Sequence, residues 1–161
     1  EALKGLNIRC HITASTVRDM PDLALPIDGG SHPTLTVGRL SFTELRSLYA
    51  RSRFVVVPLH ATDSDQGTTV ILEAMSMGKA VICSQTEGQV ELIEEGKTGI
   101  FVPPGDAGAL REAIEFLWSH PQEAERMGHE GRKRIEQFHT LEGFFSKFRN
   151  VVEEAIVEHK V

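Results

Sequence analysis

The sequence predicts an α/β fold in which a doubly wound parallel sheet carries helices on both faces. Two apolar runs, Phe54–Leu59 and Ala80–Ser84, show little alternation, as strands buried on both faces do. A helix-length segment, Thr68–Met77, lies between them, and this strand–helix–strand order is typical of parallel sheets. The chain of 161 residues, 40% of them hydrophobic, is long enough for one domain with one core.

The other elements are predicted from hydrophobic runs, turn residues and helix caps. Before Phe54 they are a strand at Ile8–Thr13, a loop over 16–33 with at most one helical turn at Met20–Leu25, a strand at Thr34–Gly38, and a helix that the capping box Ser41–Glu44 opens and that continues through Arg51. After Ser84 they are a short helix at Gln89–Glu95, a strand at Gly99–Val102 and a helix at Ala107–Ser119 capped by Asp106. Helices with one interruption then occupy about residues 121–161. The opening residues, Glu1–Gly5, resemble part of a helix, which predicts a domain that is partial at its amino terminus.

Composition and charge argue against several classes of function. The net charge of −6 and the pI near 5.6 disfavour a generic nucleic-acid binder, which needs a basic surface to displace counterions. No apolar window reaches the about 18 residues that a membrane-spanning helix needs. Cys10 and Cys83 lie in apolar runs and are too few for a disulfide framework or a metal site. We interpret them as reduced core thiols of a cytosolic protein.

The start of the Thr68–Met77 helix has the features of an anion site. It follows the carboxyl end of a predicted parallel strand, where open α/β sheets bind their ligands. Gly67 allows another group to approach the backbone closely. The N–H groups of Thr68, Thr69 and Val70 point outward with the positive end of the helix dipole. The two threonine hydroxyls add further donors.

Two carboxylates flank this predicted anion site. Asp65 precedes the helix and Glu73 is eight residues further on, which at about 1.5 Å rise per residue places the two carboxylates on the order of 10 Å apart. A carboxylate only accepts hydrogen bonds, so it suits paired hydroxyls such as those of a ribose or a sugar ring. The array therefore indicates a sugar, a diphosphate and a ribose in order, as in a nucleotide sugar. The alternatives are that Asp65 is a turn or cap residue and that Glu73 is a solvent-facing helix residue.

Several motifs resemble GT-B glycosyltransferases of family 4 (group 1) over about residues 34–140. They are Asp65-x7-Glu73, Leu-Glu-Ala-Met-Ser-Met-Gly-Lys-Ala-Val-Ile from Leu72, Thr86-Glu-Gly-Gln-Val-Glu-Leu-Ile93, Gly96-Lys-Thr-Gly-Ile-Phe-Val-Pro103 and Glu44-Leu-x3-Tyr49. The resemblance implies a Rossmann-like carboxyl-terminal, donor-binding domain that lacks its first strand. It also implies a retaining transferase of the hexosyltransferase type, with a UDP-, GDP- or ADP-sugar as donor and neither a metal ion nor another cofactor.

The resemblance also implies roles for individual residues. Glu73 would hold the ribose hydroxyls, and Asp65, as the catalytic candidate, would contact the transferred sugar. The turn Gln66, Gly67, Thr68 and Thr69 would receive the diphosphate, and Arg39 and Leu40 would meet the base.

Two departures from the family pattern affect these implications. Asp65 replaces the usual Glu, and Thr68 stands where an aromatic residue is common. The family's diphosphate-neutralising Arg and Lys would lie before Glu1, and an amino-terminal GT-B domain would hold the sugar or lipid-linked acceptor. The chain alone is therefore expected to be inactive.

Other functions stay open at this stage. One is a non-catalytic nucleotide-sugar-binding or partner module, and another is a nucleotide-sugar epimerase. A dinucleotide-binding dehydrogenase is disfavoured because no G-x-G-x-x-G follows a strand.

The carboxyl-terminal helices interleave basic residues with phenylalanines: Arg132, Lys133, Arg134, Lys147 and Arg149 with Phe138, Phe144, Phe145 and Phe148. We expect these helices to pack on the domain; contact with the acceptor domain or peripheral contact of a cytoplasmic protein with an anionic membrane is the alternative.

Overall fold

Strands and helices alternate through the first half of the structure, and helices dominate the second half. The computed structural model describes residues 1–13, 35–38, 40–61, 66–87 and 91–158, so the predicted loop over 16–33 lies outside it. The elements are β1 (Cys10–Thr13), β2 (Leu35–Gly38), α1 (Phe42–Arg51), β3 (Phe54–Val57), α2 (Thr68–Ser76), β4 (Ala80–Ser84), β5 (Gly99–Val102), α3 (Ala107–Ser119), α4 (Pro121–Phe138) and α5 (Leu141–Glu158).

All strand pairings among the described residues are parallel, as the sequence predicts. β4 is the middle strand of the sheet β3-β4-β5, with Val56 opposite Ile82 and Ile82 opposite Ile100. β1 and β2 form a separate parallel pair, with Cys10 opposite Leu35. Because parallel strands share one direction, the carboxyl ends of β3 and β4 lie side by side at one edge of the sheet.

Strand β4 is buried along its whole length because helices cover both of its faces. Ala80 and Ile82 pack against side chains of α3 and α4, including Ile114, Leu117 and Met127. Val81 and Cys83 point to the opposite face, where they pack with Ile71, Ala74 and Met75 of α2 and with Tyr49 of α1. The prediction of a parallel sheet with helices on both faces is therefore confirmed.

The predicted helix caps fix where α1 and α3 begin. At α1, Ser41 N–H donates to Glu44 Oε2 at 2.8 Å, and Glu44 N–H donates to Ser41 Oγ at 3.4 Å, which completes the capping box. At α3, Ala109 N–H donates to the Asp106 carboxylate at 2.9 Å. Each cap supplies an acceptor to an N–H group that has none within its own helix.

The predicted short helix at Gln89–Glu95 is wrong over the described residues 91–95, which form turns and an extended bridge. The Arg134 guanidinium from α4 donates to the carbonyl of Glu91 at 2.7 Å and to that of Leu92 at 3.1 Å. Glu94 N–H donates to Thr98 Oγ1 at 2.9 Å. The distant Arg134 and the nearby Thr98 thus bind backbone groups that a helix would use internally.

The residues before β1 also differ from the prediction. Glu1–Gly5 form turns rather than part of a helix, with Lys4 N–H donating to the Glu1 carbonyl at 2.9 Å. Gly5 adopts a φ of +77°, a left-handed conformation that ends a right-handed turn. Ile8 nevertheless reaches the core and packs in the same cluster as Ala80 and Ile82.

The two carboxyl-terminal helices behave differently. Helix α4 packs on the domain, and at Gly128 a Cβ would lie 2.0 Å from the Gly78 carbonyl oxygen, so only glycine fits there. In α5, every side chain of residues 141–156 except Gly143 is exposed. The prediction that the phenylalanines pack on the domain is therefore wrong for α5, since an apolar helical face does not specify its partner.

The basic residues of α4 are paired rather than free. Arg132 pairs with Glu136, Lys133 with Glu130, and Arg134 with Glu94. Within the described ranges, none of the helices is both long enough and apolar enough to cross a membrane.

Loss of the α3 cap provides a test of the helix start. Asp106→Ala is expected to lower the free energy of unfolding by about 1 kcal/mol, because the Ala109 N–H loses its acceptor. Asp106→Asn keeps a side-chain oxygen and should retain most of that stability. Urea unfolding followed by the fluorescence of Trp118, the single tryptophan, measures the difference. Equal stability of Asp106→Ala and the wild type would contradict a stabilising cap.

Candidate functional site

The turn that starts α2 requires glycine for two separate reasons. Gly67 is the N-cap residue and has a φ of +80°, which side chains rarely adopt. A Cβ at this position would also lie 2.8 Å from Val57 Cγ1 and 3.3 Å from Leu59 Cδ2. The start of α2 therefore lies against the end of β3 at the sheet edge.

The described residues at the amino terminus of α2, 66–70, include no acidic side chain that would compete with an anionic ligand. Gly67 provides no side-chain cap, and the first turn contains no acidic residue. In any α-helix the first N–H groups lack intrahelical acceptors, and the helix dipole makes this end positive. Thr69 is exposed and Thr68 half-buried, so both lie near the surface. This geometry can hold an anion such as a phosphate.

Glu73 lies one turn further along α2 and is held by a contact that the sequence did not reveal. Its side chain is half-buried, and Tyr49 Oη–H of α1 donates to Glu73 Oε2 at 3.0 Å. A freely solvated helix residue would have neither feature, so these two observations argue against the solvent-facing alternative for Glu73. The signal was present in part, because a buried tyrosine needs a hydrogen-bond partner for its hydroxyl.

Tyr49 is a neutral donor to this carboxylate. Burial raises the pKa of its phenol well above the ordinary value of 10.0, and the hydrogen bond to Glu73 and the charge of Glu73 raise it further. Only 8% of the residue is exposed, which explains why burial is the largest cause. The phenol therefore keeps its proton throughout the physiological range.

Two hydroxyl groups, on Ser84 at the carboxyl end of β4 and on Thr86 just after it, were missed by the sequence interpretation. Leu59 N–H donates to Ser84 Oγ at 3.0 Å, which fastens the segment after β3 to β4. Thr86 Oγ1 is buried and has no hydrogen-bond partner within the described residues. Ser84 ends the run Ala80–Ser84 and Thr86 lies two residues later, and this position at the sheet edge was the available signal.

The structure brings part of the predicted site together. Gly67, Thr68, Thr69 and Glu73 lie on the first two turns of α2, and the exposed Gln66 precedes them. Leu40, which is 40% exposed, lies directly before the capping box of α1. Asp65 and Arg39 lie outside the described residues, so their roles stay predictions. Within the described ranges, no cluster of His, Cys, Asp and Glu has the arrangement of a metal site.

A protein-family comparison identifies the chain. The model of the family "Glycosyl transferases group 1" matches residues 29–134. The chain belongs to this family. It is 34% identical over 105 residues to D-rhamnosyltransferase WbpZ of Pseudomonas aeruginosa, a match that covers 65% of the chain. The same match spans 27% of the length of WbpZ.

Solved structures agree with this family assignment. Sucrose-phosphate synthase from Thermosynechococcus elongatus is 27% identical with a TM-score of 0.69, over 78% of this chain and 31% of that one. Anabaena HepE in complex with UDP-glucose is 19% identical with a TM-score of 0.64, over 78% of this chain and 34% of that one. These neighbours are GT-B glycosyltransferases, so the predicted family and α/β fold class are confirmed.

Substitution of Gly67 tests the close approach at the start of α2. Gly67→Ala is expected to lower the free energy of unfolding by about 1–2 kcal/mol for the left-handed backbone and about 1–3 kcal/mol more for the contact with Val57. Gly105→Ala is a matched control, since its φ is +78° and nothing lies within 4 Å of the added carbon. Urea unfolding measures both variants. Equal losses would mean that the approach to Val57 is unimportant.

The buried phenol gives a second test, because Tyr49 is the single tyrosine of the chain. Its ultraviolet absorbance change on ionisation should appear at higher pH in the native chain than in urea, where the pKa is near 10.0. Because the native pKa is raised, this contribution to stability is complete below the unfolded pKa and is lost as the pH rises above it. Glu73→Gln should move the native transition to lower pH. Coincident native and unfolded transitions would contradict the contact.

Proposed function

We propose that the chain is the donor-binding domain of a retaining glycosyltransferase that uses a nucleoside-diphosphate sugar. The observation that carries this proposal is the position of Glu73, which Tyr49 holds one turn beyond the start of α2. An oriented carboxylate and a helix amino terminus together suit a ribose and a phosphate. The acceptor, a sugar or a lipid-linked sugar, would be held by an amino-terminal domain outside this chain.

The spacing of the two groups supports adjacent ribose and diphosphate subsites. Thr69 and Glu73 are four residues apart on α2, which separates them by about 6 Å along the helix axis. A ribose is bonded directly to the first phosphate of a nucleoside diphosphate, so neighbouring subsites of this spacing fit it. UDP-glucose is bound in the HepE structure, which has a similar fold, and this supports a ligand of the same class.

The chemistry follows from what such a site does to the departing group. When the glycosidic bond to the diphosphate breaks, negative charge grows on the diphosphate oxygens. Preorganised donors at the α2 amino terminus, with the hydroxyls of Thr68 and Thr69, would stabilise that charge more in the transition state than in the ground state. Their contribution is thus to leaving-group departure as well as to binding.

The remaining subsites extend from these two. We assign Asp65 to the transferred hexose and Gln66 and Gly67 to the diphosphate turn. Arg39 and Leu40 would meet the base; the partly exposed Leu40 supplies apolar surface there.

The unpaired Cys10 and Cys83 support a cytoplasmic location, because disulfides are rare in that compartment.

Binding of UDP-, GDP- and ADP-sugars to the purified chain, measured by calorimetry, tests the proposal. Glu73→Ala is expected to weaken binding of the preferred donor by about 10- to 100-fold, because hydrogen bonds to a charged group contribute about 1.5–3 kcal/mol. Glu125→Ala, which removes an exposed carboxylate on α4, serves as the control and should bind like the wild type. Undiminished binding by Glu73→Ala would refute the ribose role.

A further inference from the structure

The contact between α1 and α2 at Tyr49 and Glu73 joins residues that are 24 positions apart in the chain. The phenol ring lies in the core cluster with Ile71, Ala74 and Met75, so its position is set by packing. Its hydroxyl then reaches the one acidic side chain of α2. A ring fixed in this way gives the hydroxyl a defined direction.

Glu73 depends on that hydroxyl for its orientation. Within the described residues, the Tyr49 hydroxyl donates a hydrogen bond to the Glu73 carboxylate, and no Lys or Arg side chain pairs with Glu73. The bond is to Oε2, and no hydrogen bond to Oε1 is seen within the part of the chain that the structure describes. Other carboxylates of the chain differ: Glu94 and Glu136, for example, are bound by Arg134 and Arg132.

A glutamate side chain loses considerable rotamer freedom when it is immobilised by a ligand. If a neighbouring group already holds the carboxylate, that loss of entropy precedes binding and does not weaken it. Tyr49 is well suited to this task, because its pKa is raised and it stays a donor at neutral pH. A lysine in its place would also neutralise the charge that attracts hydroxyl donors.

We propose that Tyr49 is a positioning residue that directs Glu73 Oε1 toward the vicinal hydroxyls of the ribose. The inference rests on the proposed role of Glu73 and adds the residue on which ribose recognition depends. The hydroxyl of Tyr49 acts through Glu73 and does not itself touch the ligand. Its effect should therefore appear only when both the carboxylate and the ribose hydroxyls are present.

The test compares ribose and deoxyribose ligands in matched variants. Binding of UDP, GDP and ADP is measured by calorimetry, and the tightest of these is compared with its 2′-deoxy and 3′-deoxy forms. The wild type should prefer the ribose form by about tenfold, the scale of one hydrogen bond to a charged group. Tyr49→Phe, which keeps the buried ring, should reduce this ratio to about twofold without weakening the deoxy ligands.

Two further variants separate positioning from a general structural effect. Ser47→Ala removes another hydroxyl from α1, one that donates to the Thr43 carbonyl, and should keep the wild-type ratio. In Glu73→Ala, the added Tyr49→Phe change should leave the ratio unaltered, because the group it orients is gone. A purely structural role for Tyr49 would weaken ribose and deoxyribose ligands equally.

The outcomes distinguish the two levels of the proposal. If the wild type binds ribose and deoxyribose ligands equally, the ribose site at Glu73 is wrong and the proposed function loses its main support. If the wild type discriminates and Tyr49→Phe discriminates equally well, the ribose site stands and the positioning role of Tyr49 is overturned. If Tyr49→Phe loses the preference for ribose over deoxyribose ligands and Ser47→Ala keeps it, both the ribose site at Glu73 and the positioning role of Tyr49 are supported.

Discussion

Burial of β4 on both faces is the constraint on which the other elements depend. Its five residues, Ala80–Ser84, are all buried, and full burial of one aliphatic side chain contributes about 1.5–3 kcal/mol. A strand that is buried on both faces needs a helical layer on each face. Helices α3 and α4 form this layer on one face and α2 forms it on the other. Parallel neighbours then place the carboxyl ends of β3 and β4 at a common edge, where Ser84 holds the backbone of Leu59.

The site at this edge departs from what stability alone would favour. Gly67 has a left-handed backbone, and Glu73 is a half-buried carboxylate that, in the described part of the chain, is bound by a buried phenol and not by a cation. A partly buried charge without an opposite charge is destabilising relative to an apolar residue. The apolar residues around it, Ile71, Ala74 and Met75, offset that cost through their complete burial. Residues that lower stability in this way, such as a half-buried carboxylate within an apolar cluster, are common at functional sites.

Local signals predicted the elements well, and contacts between distant residues account for what was missed. The capping box at Ser41 and the cap at Asp106 gave the starts of α1 and α3, because each cap lies within a few residues of its partner. The turn at 91–95 is held by Arg134, about 40 positions away, and no local pattern encodes that contact. The exposure of α5 has the same origin, since an amphipathic pattern predicts an apolar face without its partner.

In the candidate site too, the local features were predicted from the sequence and the contact between distant residues was missed. Gly67 and the threonines that follow it were predicted correctly as the start of α2, because a strand, a glycine and a helix are adjacent in the chain. Glu73 was singled out as one of the two carboxylates that flank the predicted anion site. Its partner Tyr49 was named only as the last residue of the motif Glu44-Leu-x3-Tyr49, and the hydrogen bond between them was not predicted.

Helix α1 therefore links two parts of the proposed site through one rigid element. Its start is fixed by the capping box next to Leu40, and its second half is fixed by Tyr49 at Glu73. Ser41 and Tyr49 are eight residues apart, which corresponds to about 12 Å along a helix. A helix keeps this separation better than a loop does, so the proposed base and ribose subsites keep a constant spacing. The proposed recognition of a nucleoside at this edge would therefore depend on the contact between α1 and α2 as well as on the residues that touch the ligand.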